Sequence, residues 1–291
     1  MSHSAAYFAD HAQVLQTTIH SQRQLAENTF GIKLACPQIA RQVIPGQFVM
    51  LRLAGMNDPL LARPLAVYDL WRDATGELAG IELVYLVVGK LTSRLAHIPA
   101  GTRVDIWGPL GNGFARRPCE QLIMVAGGIG QTPFLLLGKE YLGGLAVSRP
   151  AGTMPAPRQV LLLYGARSVT YLAGVEEFES AGIEVRVSTD DGTAGHRGLV
   201  TDLLRAELAT EFAGRREIAC CGPEKMLEAV SHIALNHAVP LGCQVSLETP
   251  MACGIGICFS CVTRVKEPDG TWDYRRTCVE GPIFEAERLA W

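Results

Sequence analysis

The chain has 291 residues, of which 48% are hydrophobic and 19% charged, and this composition is typical of a globular protein with two or three modules. Its net charge of −3 gives no basic surface for a nucleic acid, so we expect no nucleic-acid partner. No uninterrupted apolar run approaches the length of about 18 residues that a transmembrane helix needs, so we expect no membrane span.

The N-terminal residues and the cysteine content indicate a reducing compartment. Residues 1–16 lack a charged segment followed by an apolar one, so we expect no signal peptide and a cytoplasmic location. Nine cysteines in such a compartment are expected to bind metal or to remain free thiols. Five of them lie outside the motif described below and are expected to be buried: Cys36, Cys119, Cys220, Cys221 and Cys243.

The first third of the chain, residues 1–118, predicts a small antiparallel β-barrel. Short β-rich runs alternate there with glycine-containing turns. The six predicted strands cover residues 14–22, 30–36, 47–53, 64–70, 81–88 and 103–107. The glycine-rich stretch that follows, residues 107–114, is interpreted as a cofactor contact, as the crossover into the next module, or as both.

Two motifs in the barrel have features of an anion or flavin site. Arg63 and Pro64 at a strand start place a guanidinium beside an exposed backbone edge, which suits a diphosphate and a flat polar ring. An Arg-Pro pair also occurs by chance. Gly89 and Thr92 lie where a strand ends and a short helix begins, and a helix N-terminus attracts anions. An ordinary capped helix is the alternative for the second motif.

Residues 119–240 show the alternation of buried strands and helices that predicts a parallel-sheet nucleotide-binding domain. The predicted strands cover residues 122–126, 160–164, 185–188 and 218–221, and the predicted helices 133–141, 198–208 and 223–237. Residues 143–157 are rich in Gly, Pro and Ser and predict a surface loop.

Two strand-to-helix turns in this domain form the candidate dinucleotide site. Glycines at such a turn let a pyrophosphate approach the backbone amides at a helix start, although the pattern is not G-x-G-x-x-G. The second turn follows the fourth strand, at the same carboxyl edge of the sheet. The residues of the two turns are Gly127, Gly128, Gly130, Cys221, Gly222 and Pro223. Arg167, at the end of the second strand, is expected to face either a nucleotide or solvent.

Residues 241–291 contain a candidate metal centre. Cys253, Cys258 and Cys261 have C-x4-C-x2-C spacing and Cys278 follows, which is the plant-type arrangement of four thiolates around a [2Fe–2S] cluster. Thiolates are the soft ligands that iron–sulfur clusters need, and the glycines between them let the backbone wrap closely. Structural zinc and a disulfide framework are the alternatives, but zinc sites usually have two short cysteine pairs on separate knuckles.

In this order, the Arg-Pro motif, the Gly-Gly-Ile-Gly turn and the Cys-Gly-Pro turn resemble the ferredoxin-reductase superfamily. The C-terminal cysteine motif narrows the resemblance to the electron transfer subunit of NAD-dependent (class 1B) dihydroorotate dehydrogenase, as do residues 107–114, 251–256 and 281–284. The resemblance covers nearly the whole chain. It implies a multidomain β and α/β fold with a ferredoxin-reductase-like β-barrel, a nucleotide-binding domain and a small C-terminal [2Fe–2S] domain.

The resemblance also implies cofactors, a partner and site residues. FAD would bind the barrel and NAD the α/β domain, and electrons would pass through the cluster to a catalytic flavoprotein subunit of pyrimidine biosynthesis, in a heterotetramer. Catalytic acids and bases are expected on that subunit. The implied contacts are Arg63, Pro64, Leu65, Ala66, Gly89 and Thr92 for FAD, Gly127, Gly128, Gly130, Cys221, Gly222 and Pro223 for nicotinamide, and Cys253, Cys258, Cys261 and Cys278 for iron. The family usually has Ser or Thr where Ala66 stands, so one hydroxyl contact to the flavin is expected to be missing.

Two other functions stay open on the sequence. The first is a self-contained NAD(P)H-dependent reductase that serves an oxygenase, a hydrogenase or an enzyme of sulfur metabolism. The second is a non-redox binding protein stabilised by zinc.

Overall fold

The computed structural model describes residues 11–144, 155–239 and 241–291. Most of the predicted surface loop at residues 143–157 therefore lies outside the described residues. The described chain contains a closed six-stranded barrel, a seven-stranded sheet and a two-stranded sheet. No helix in these three segments is long and apolar enough to cross a lipid bilayer.

The predicted antiparallel barrel is confirmed. Its strands are β1 (Gln13–Ala26), β2 (Thr29–Leu34), β3 (Phe48–Leu53), β4 (Arg63–Arg72), β5 (Leu78–Leu86) and β6 (Arg103–Leu110), and its short helices are α1 (Pro37–Ala40) and α2 (Lys90–Leu95). The strands close in the order β1-β2-β5-β4-β3-β6. Branched aliphatic side chains at alternate positions fill the interior, among them Val49, Leu51, Ile81, Leu83, Val104 and Ile106.

The predicted nucleotide-binding domain is also present. Its strands and helices up to residue 235 are, in chain order, β7 (Gln121–Gly127), α3 (Phe134–Tyr141), β8 (Gln159–Ala166), α4 (Val175–Ser180), β9 (Glu184–Thr189), β10 (His196–Arg197), α5 (Val200–Leu208), β11 (Arg216–Cys221) and α6 (Glu224–Leu235). The paired strands β7 to β9 and β11 are parallel, and β7 is apolar on both faces because helices cover both sides of the sheet.

The C-terminal segment is shared between this sheet and a separate hairpin. Its strands are β12 (Gly242–Ser246), β13 (Val262–Lys266), β14 (Trp272–Arg276) and β15 (Ile283–Glu285). β12 pairs parallel to β11 and β15 pairs antiparallel to β12, so the sheet order is β10-β9-β8-β7-β11-β12-β15. The sequence prediction assigned all of residues 241–291 to the cluster domain, whereas β12 and β15 extend the nucleotide-binding sheet and β13 and β14 form the hairpin.

Candidate functional site

A cavity of about 730 Å³ opens at the carboxyl edge of the parallel sheet. The ends of β7, β8 and β9 and the starts of α5 and α6 form most of its wall, and Thr29 and Leu86 of the barrel complete it. Gly127, Gly128 and Pro223, which were predicted for the dinucleotide site, line this wall, and their contact with a dinucleotide stays a prediction. The carboxyl edge is where open α/β sheets bind nucleotides.

The two predicted turns lie side by side because β7 and β11 are parallel neighbours. A Cβ atom on Gly130 would lie 2.3 Å from the carbonyl oxygen of Cys221, and one on Gly127 would lie 2.8 Å from the ring of Pro223. Gly128 has φ +55 and faces open space. Three of the six predicted residues thus line the cavity, and the other three lie where the two turns pack together.

Glu248 is a cavity residue that sequence reasoning missed. It follows β12, and its carboxylate is exposed to the cavity, where the surrounding protein desolvates it and raises its pKa. The sulfur of Cys221 lies 4.0 Å from its Oε1 atom. The one sequence signal that could have identified Glu248 is its position just after the short strand β12, and the sequence did not predict that strand. Arg167 also lines the cavity, but it is exposed and its guanidinium carbon lies 5.0 Å from the centroid of the Tyr171 ring, so both predicted alternatives stay open.

The predicted flavin residues begin β4. Arg63 Nη1 donates hydrogen bonds to the carbonyl oxygens of Leu61, at 3.2 Å, and Ala62, at 3.0 Å. Among the described residues, no carboxylate forms an ion pair with Arg63. Leu65 is buried, while Pro64 and the guanidinium-bearing Arg63 are half-buried. The contact of Arg63 with a flavin diphosphate stays a prediction.

Thr92 caps helix α2. Its hydroxyl oxygen accepts hydrogen bonds from the backbone N–H groups of Val88 and Gly89, each at 3.1 Å, and it is 7% exposed. This is the geometry of an ordinary capped helix. The contact of Thr92 with a flavin diphosphate stays a prediction.

The four cysteines of the C-terminal motif form two pairs. The thiols of Cys253 and Cys258 interact, and so do those of Cys261 and Cys278. Cys261 and Cys278 are buried, Cys253 is half-buried, and Cys258 is exposed. Across the described chain, no set of three His, Cys, Asp or Glu side chains converges as a single metal ion requires. Cys253 also acts electrostatically on Cys278, so the two pairs are neighbours, and the kind of metal centre they hold stays a prediction.

Local hydrogen bonds favour the deprotonated form of two of these thiols. Burial by itself would raise the pKa of Cys253, but backbone N–H groups of Cys258, Ile255 and Ile257 donate to its sulfur and lower the pKa to about 7. A hydrogen bond from Cys278 lowers the pKa of Cys261 to about 5. The same hydrogen bond, together with burial, raises the pKa of Cys278, so the Cys261 and Cys278 sulfurs share one proton as a pair.

The loop that carries the first three cysteines of the motif, residues 253–261, is called the cysteine loop here and packs directly on the barrel. Trp107 of β6 donates a hydrogen bond from Nε1 to the carbonyl oxygen of Cys253, at 3.0 Å. Gly254 has φ +74, and a Cβ atom there would lie 2.5 Å from Cγ of Met50 in β3. Glycine is therefore needed at this position both for its backbone conformation and for the close approach.

The stretch at residues 107–114 joins the barrel to the C-terminal segment as well as to β7. Asn112 Nδ2 donates to the carbonyl oxygen of Ile283 at 2.8 Å, and the N–H of Ile283 donates to Asn112 Oδ1 at 3.1 Å. The N–H of Asn112 also donates to the carbonyl oxygen of Gly281 at 2.7 Å. Two stretches that carried the family resemblance therefore contact each other.

Comparisons with known proteins agree with this arrangement. The family described as the iron–sulfur cluster binding domain of dihydroorotate dehydrogenase B matches residues 248–290, and the oxidoreductase NAD-binding domain matches residues 124–232. The chain is 33% identical over 281 residues to the dihydroorotate dehydrogenase B (NAD(+)) electron transfer subunit of Desulforamulus reducens, covering 96% of this chain and 99% of that protein. It is 35% identical over 272 residues to the subunit of the same name from Bacillus caldolyticus, covering 92% and 95%.

Solved structures show the same fold. A chain of an NADH-dependent reduced ferredoxin–NADP oxidoreductase, from work on flavin-based electron bifurcation, superimposes with a TM-score of 0.76 at 28% identity, over 94% of this chain and 90% of that chain. A phthalate dioxygenase reductase superimposes with a TM-score of 0.60 at 16% identity, over 94% and 97%, which shows likeness of fold alone.

Proposed function

The chain belongs to the family of electron transfer subunits of NAD-dependent dihydroorotate dehydrogenase B, and from this membership we propose the route that its electrons take. They pass between NAD at the cavity, FAD on the barrel and a [2Fe–2S] cluster on the cysteine loop. The cluster exchanges them with a catalytic subunit that oxidises dihydroorotate in pyrimidine biosynthesis. Bound FAD would supply the conversion between hydride exchange with NAD and one-electron exchange with the cluster.

The observation that carries this proposal is the position of the barrel between the two other sites. Ala62, the residue before Arg63, packs in the same buried apolar cluster as Cys261 and Cys278. On another side, Thr29 and Leu86 of the barrel line the cavity. A flavin held along the start of β4 is thus flanked by the cysteine loop, and the barrel that holds it borders the nicotinamide site.

The residues at each site suit the proposed groups. The guanidinium of Arg63, which has no carboxylate partner among the described residues, offers charge-assisted hydrogen bonds to a diphosphate. The left-handed backbone of Gly128 presents an unobstructed turn to a dinucleotide. The four neighbouring cysteines have C-x4-C-x2-C spacing with a fourth downstream, which supports a [2Fe–2S] cluster over structural zinc.

The proposed surface for the catalytic subunit surrounds Cys258. Ile255, Ile257 and Phe259 are 42%, 73% and 63% exposed, so the loop presents three exposed apolar side chains close to the exposed Cys258. Exposed apolar patches of this kind mark protein interfaces. We place the catalytic subunit here, in a heterotetramer, since Cys258 is the most exposed cysteine of the motif.

The test is reconstitution of the purified chain with and without a dihydroorotate-oxidising subunit. The chain alone should show flavin and iron–sulfur absorption and should oxidise NADH with artificial acceptors, but it should not oxidise dihydroorotate. Addition of the catalytic subunit should give a complex that couples dihydroorotate oxidation to NAD reduction. Dihydroorotate turnover by the chain alone, or absence of a complex, would overturn the proposal.

A pair of surface variants locates the interface. Ile257→Asp should weaken the complex while keeping NADH oxidation with artificial acceptors, because its side chain is 73% exposed. Val239→Asp is the matched control, since Val239 is 61% exposed and precedes β12 at the amino edge of the sheet, opposite the cavity. Equal binding by both variants would place the interface elsewhere.

A further inference from the structure

Arg276, at the end of β14, contacts the cysteine loop on both sides of Cys258. Its Nη1 atom donates a hydrogen bond to the carbonyl oxygen of Gly256, at 2.9 Å. Its guanidinium carbon lies 5.1 Å from the centroid of the Phe259 ring, within the range of a cation–π contact. Gly256 precedes Cys258 by two residues and Phe259 follows it, so one side chain spans the exposed ligand.

Of the two contacted residues, Phe259 has a backbone conformation that needs support. Phe259 has φ +55, a left-handed conformation that is uncommon for a bulky residue, and its side chain is 63% exposed. Gly256 has φ +82, and a Cβ atom there would lie 2.6 Å from Val279. The conformation of Gly256 is unstrained for glycine, whereas the strained conformation of Phe259 persists only when its surroundings hold it. Arg276 supplies contacts to both residues.

Arg276 also places a positive charge beside the candidate cluster. Its side chain is 26% exposed, and guanidinium groups stay protonated in proteins. Its acidic neighbour Glu280 lies 3.5 Å from Nε and accepts the backbone N–H of Arg276 at 2.9 Å. Glu280 also lies 3.4 Å from Arg275, which forms ion pairs with Glu267 and Asp273 as well, so Glu280 offsets part of the Arg276 charge.

We propose that Arg276 is a positioning residue of the cluster, which clamps the loop around Cys258 and raises the reduction potential of the cluster. The inference rests on the proposed function, since it presumes that the four cysteines hold a cluster. Reduction adds negative charge to a cluster, so a nearby cation stabilises the reduced form. The effect of Arg276 on the loop conformation and its effect on the reduction potential can be measured separately, because lysine keeps the positive charge but lacks the planar fork of arginine.

The experiment compares three variants of the full chain by redox titration of the cluster absorption and by the rate of iron release to a chelator. Arg276→Gln should lower the potential and accelerate iron release by about tenfold or more, as the loss of a charge-assisted hydrogen bond predicts. Arg276→Lys should have a reduction potential close to that of the wild-type chain but should release iron faster than the wild-type chain. Arg264→Gln is the control, since Arg264 makes a similar cation–π contact, 4.8 Å from the Trp272 ring, on the same hairpin.

An Arg276→Gln chain with the potential and iron release of the Arg264→Gln control would overturn the inference. If Arg276→Gln loses its cluster altogether, Glu280→Gln tests the effect of local charge on the reduction potential, because it removes a negative charge beside Arg276. Removal of that carboxylate should raise the potential, and an unchanged or lower potential would overturn the inference. A wild-type chain without iron and sulfide would instead refute the proposed cluster itself, so the two failures are distinguishable.

Discussion

Replacement of Gly254 by alanine tests whether the cysteine loop depends on its contact with the barrel. Gly254 has φ +74, and a left-handed alanine costs about 1–2 kcal/mol. The new Cβ atom would also lie 2.5 Å from Cγ of Met50, a fully buried residue, and overpacking of this kind costs about 1–3 kcal/mol. We therefore expect Gly254→Ala to lower the free energy of unfolding by about 2–5 kcal/mol.

Gly270→Ala is the matched control for the backbone contribution. Gly270 lies between β13 and β14 with φ +86, and a Cβ atom there would meet no atom within 4 Å. Its substitution should cost only the conformational part, about 1–2 kcal/mol. The effect of alanine on the unfolded chain is common to both variants and cancels in their comparison.

Urea unfolding followed by tryptophan fluorescence measures this difference, because Trp107 donates its hydrogen bond to the same loop. Iron release to a chelator is the second measurement, and Gly254→Ala should release iron faster than Gly270→Ala. If the two variants unfold at the same urea concentration and release iron at the same rate, the loop does not depend on its packing against Met50.

Three further predictions concern the candidate sites. Cys258→Ser should abolish or greatly weaken cluster binding and leave FAD bound, because a hydroxyl is a poor substitute for thiolate on iron; full iron and sulfide content would exclude this ligand. Arg63→Ala should weaken FAD retention by about 1.5–3 kcal/mol, and unchanged flavin occupancy after extensive dialysis would count against its role. Gly128→Val should raise the KM for NADH or abolish turnover with FAD and cluster in place, because a β-branched residue is strained at φ +55; normal NADH kinetics would move the site elsewhere.

The elements with local signals were predictable from the sequence. The barrel strands alternate apolar and polar residues between glycine-containing turns, and β7 and β11 are apolar runs that end in the turns at the cavity. The spacing of Cys253, Cys258 and Cys261 can be recognised within nine consecutive residues of the sequence. These features depend on neighbours in sequence, so a single sequence is enough to predict them.

The elements that depend on distant partners were not predictable. β15 has three residues, and its pairing, such as Phe284 with Val245, joins parts of the chain that lie far apart. Glu248 reaches the cavity only because β12 extends the sheet. Thr92 illustrates another limit, since a hydroxyl at a helix start has the same sequence signal whether it caps the helix or binds a phosphate.

The outermost strand of the large sheet has a consequence for biosynthesis. Strand β15, at residues Ile283–Glu285, covers the edge of β12 and follows Cys278 along the chain. During translation, β12 keeps an unpaired edge until β15 has been made, and an unpaired edge invites pairing with other chains. A nascent chain that has closed this edge has therefore already synthesised all four cysteines. Completion of the nucleotide-binding sheet and availability of the full ligand set are coupled by the order of the sequence.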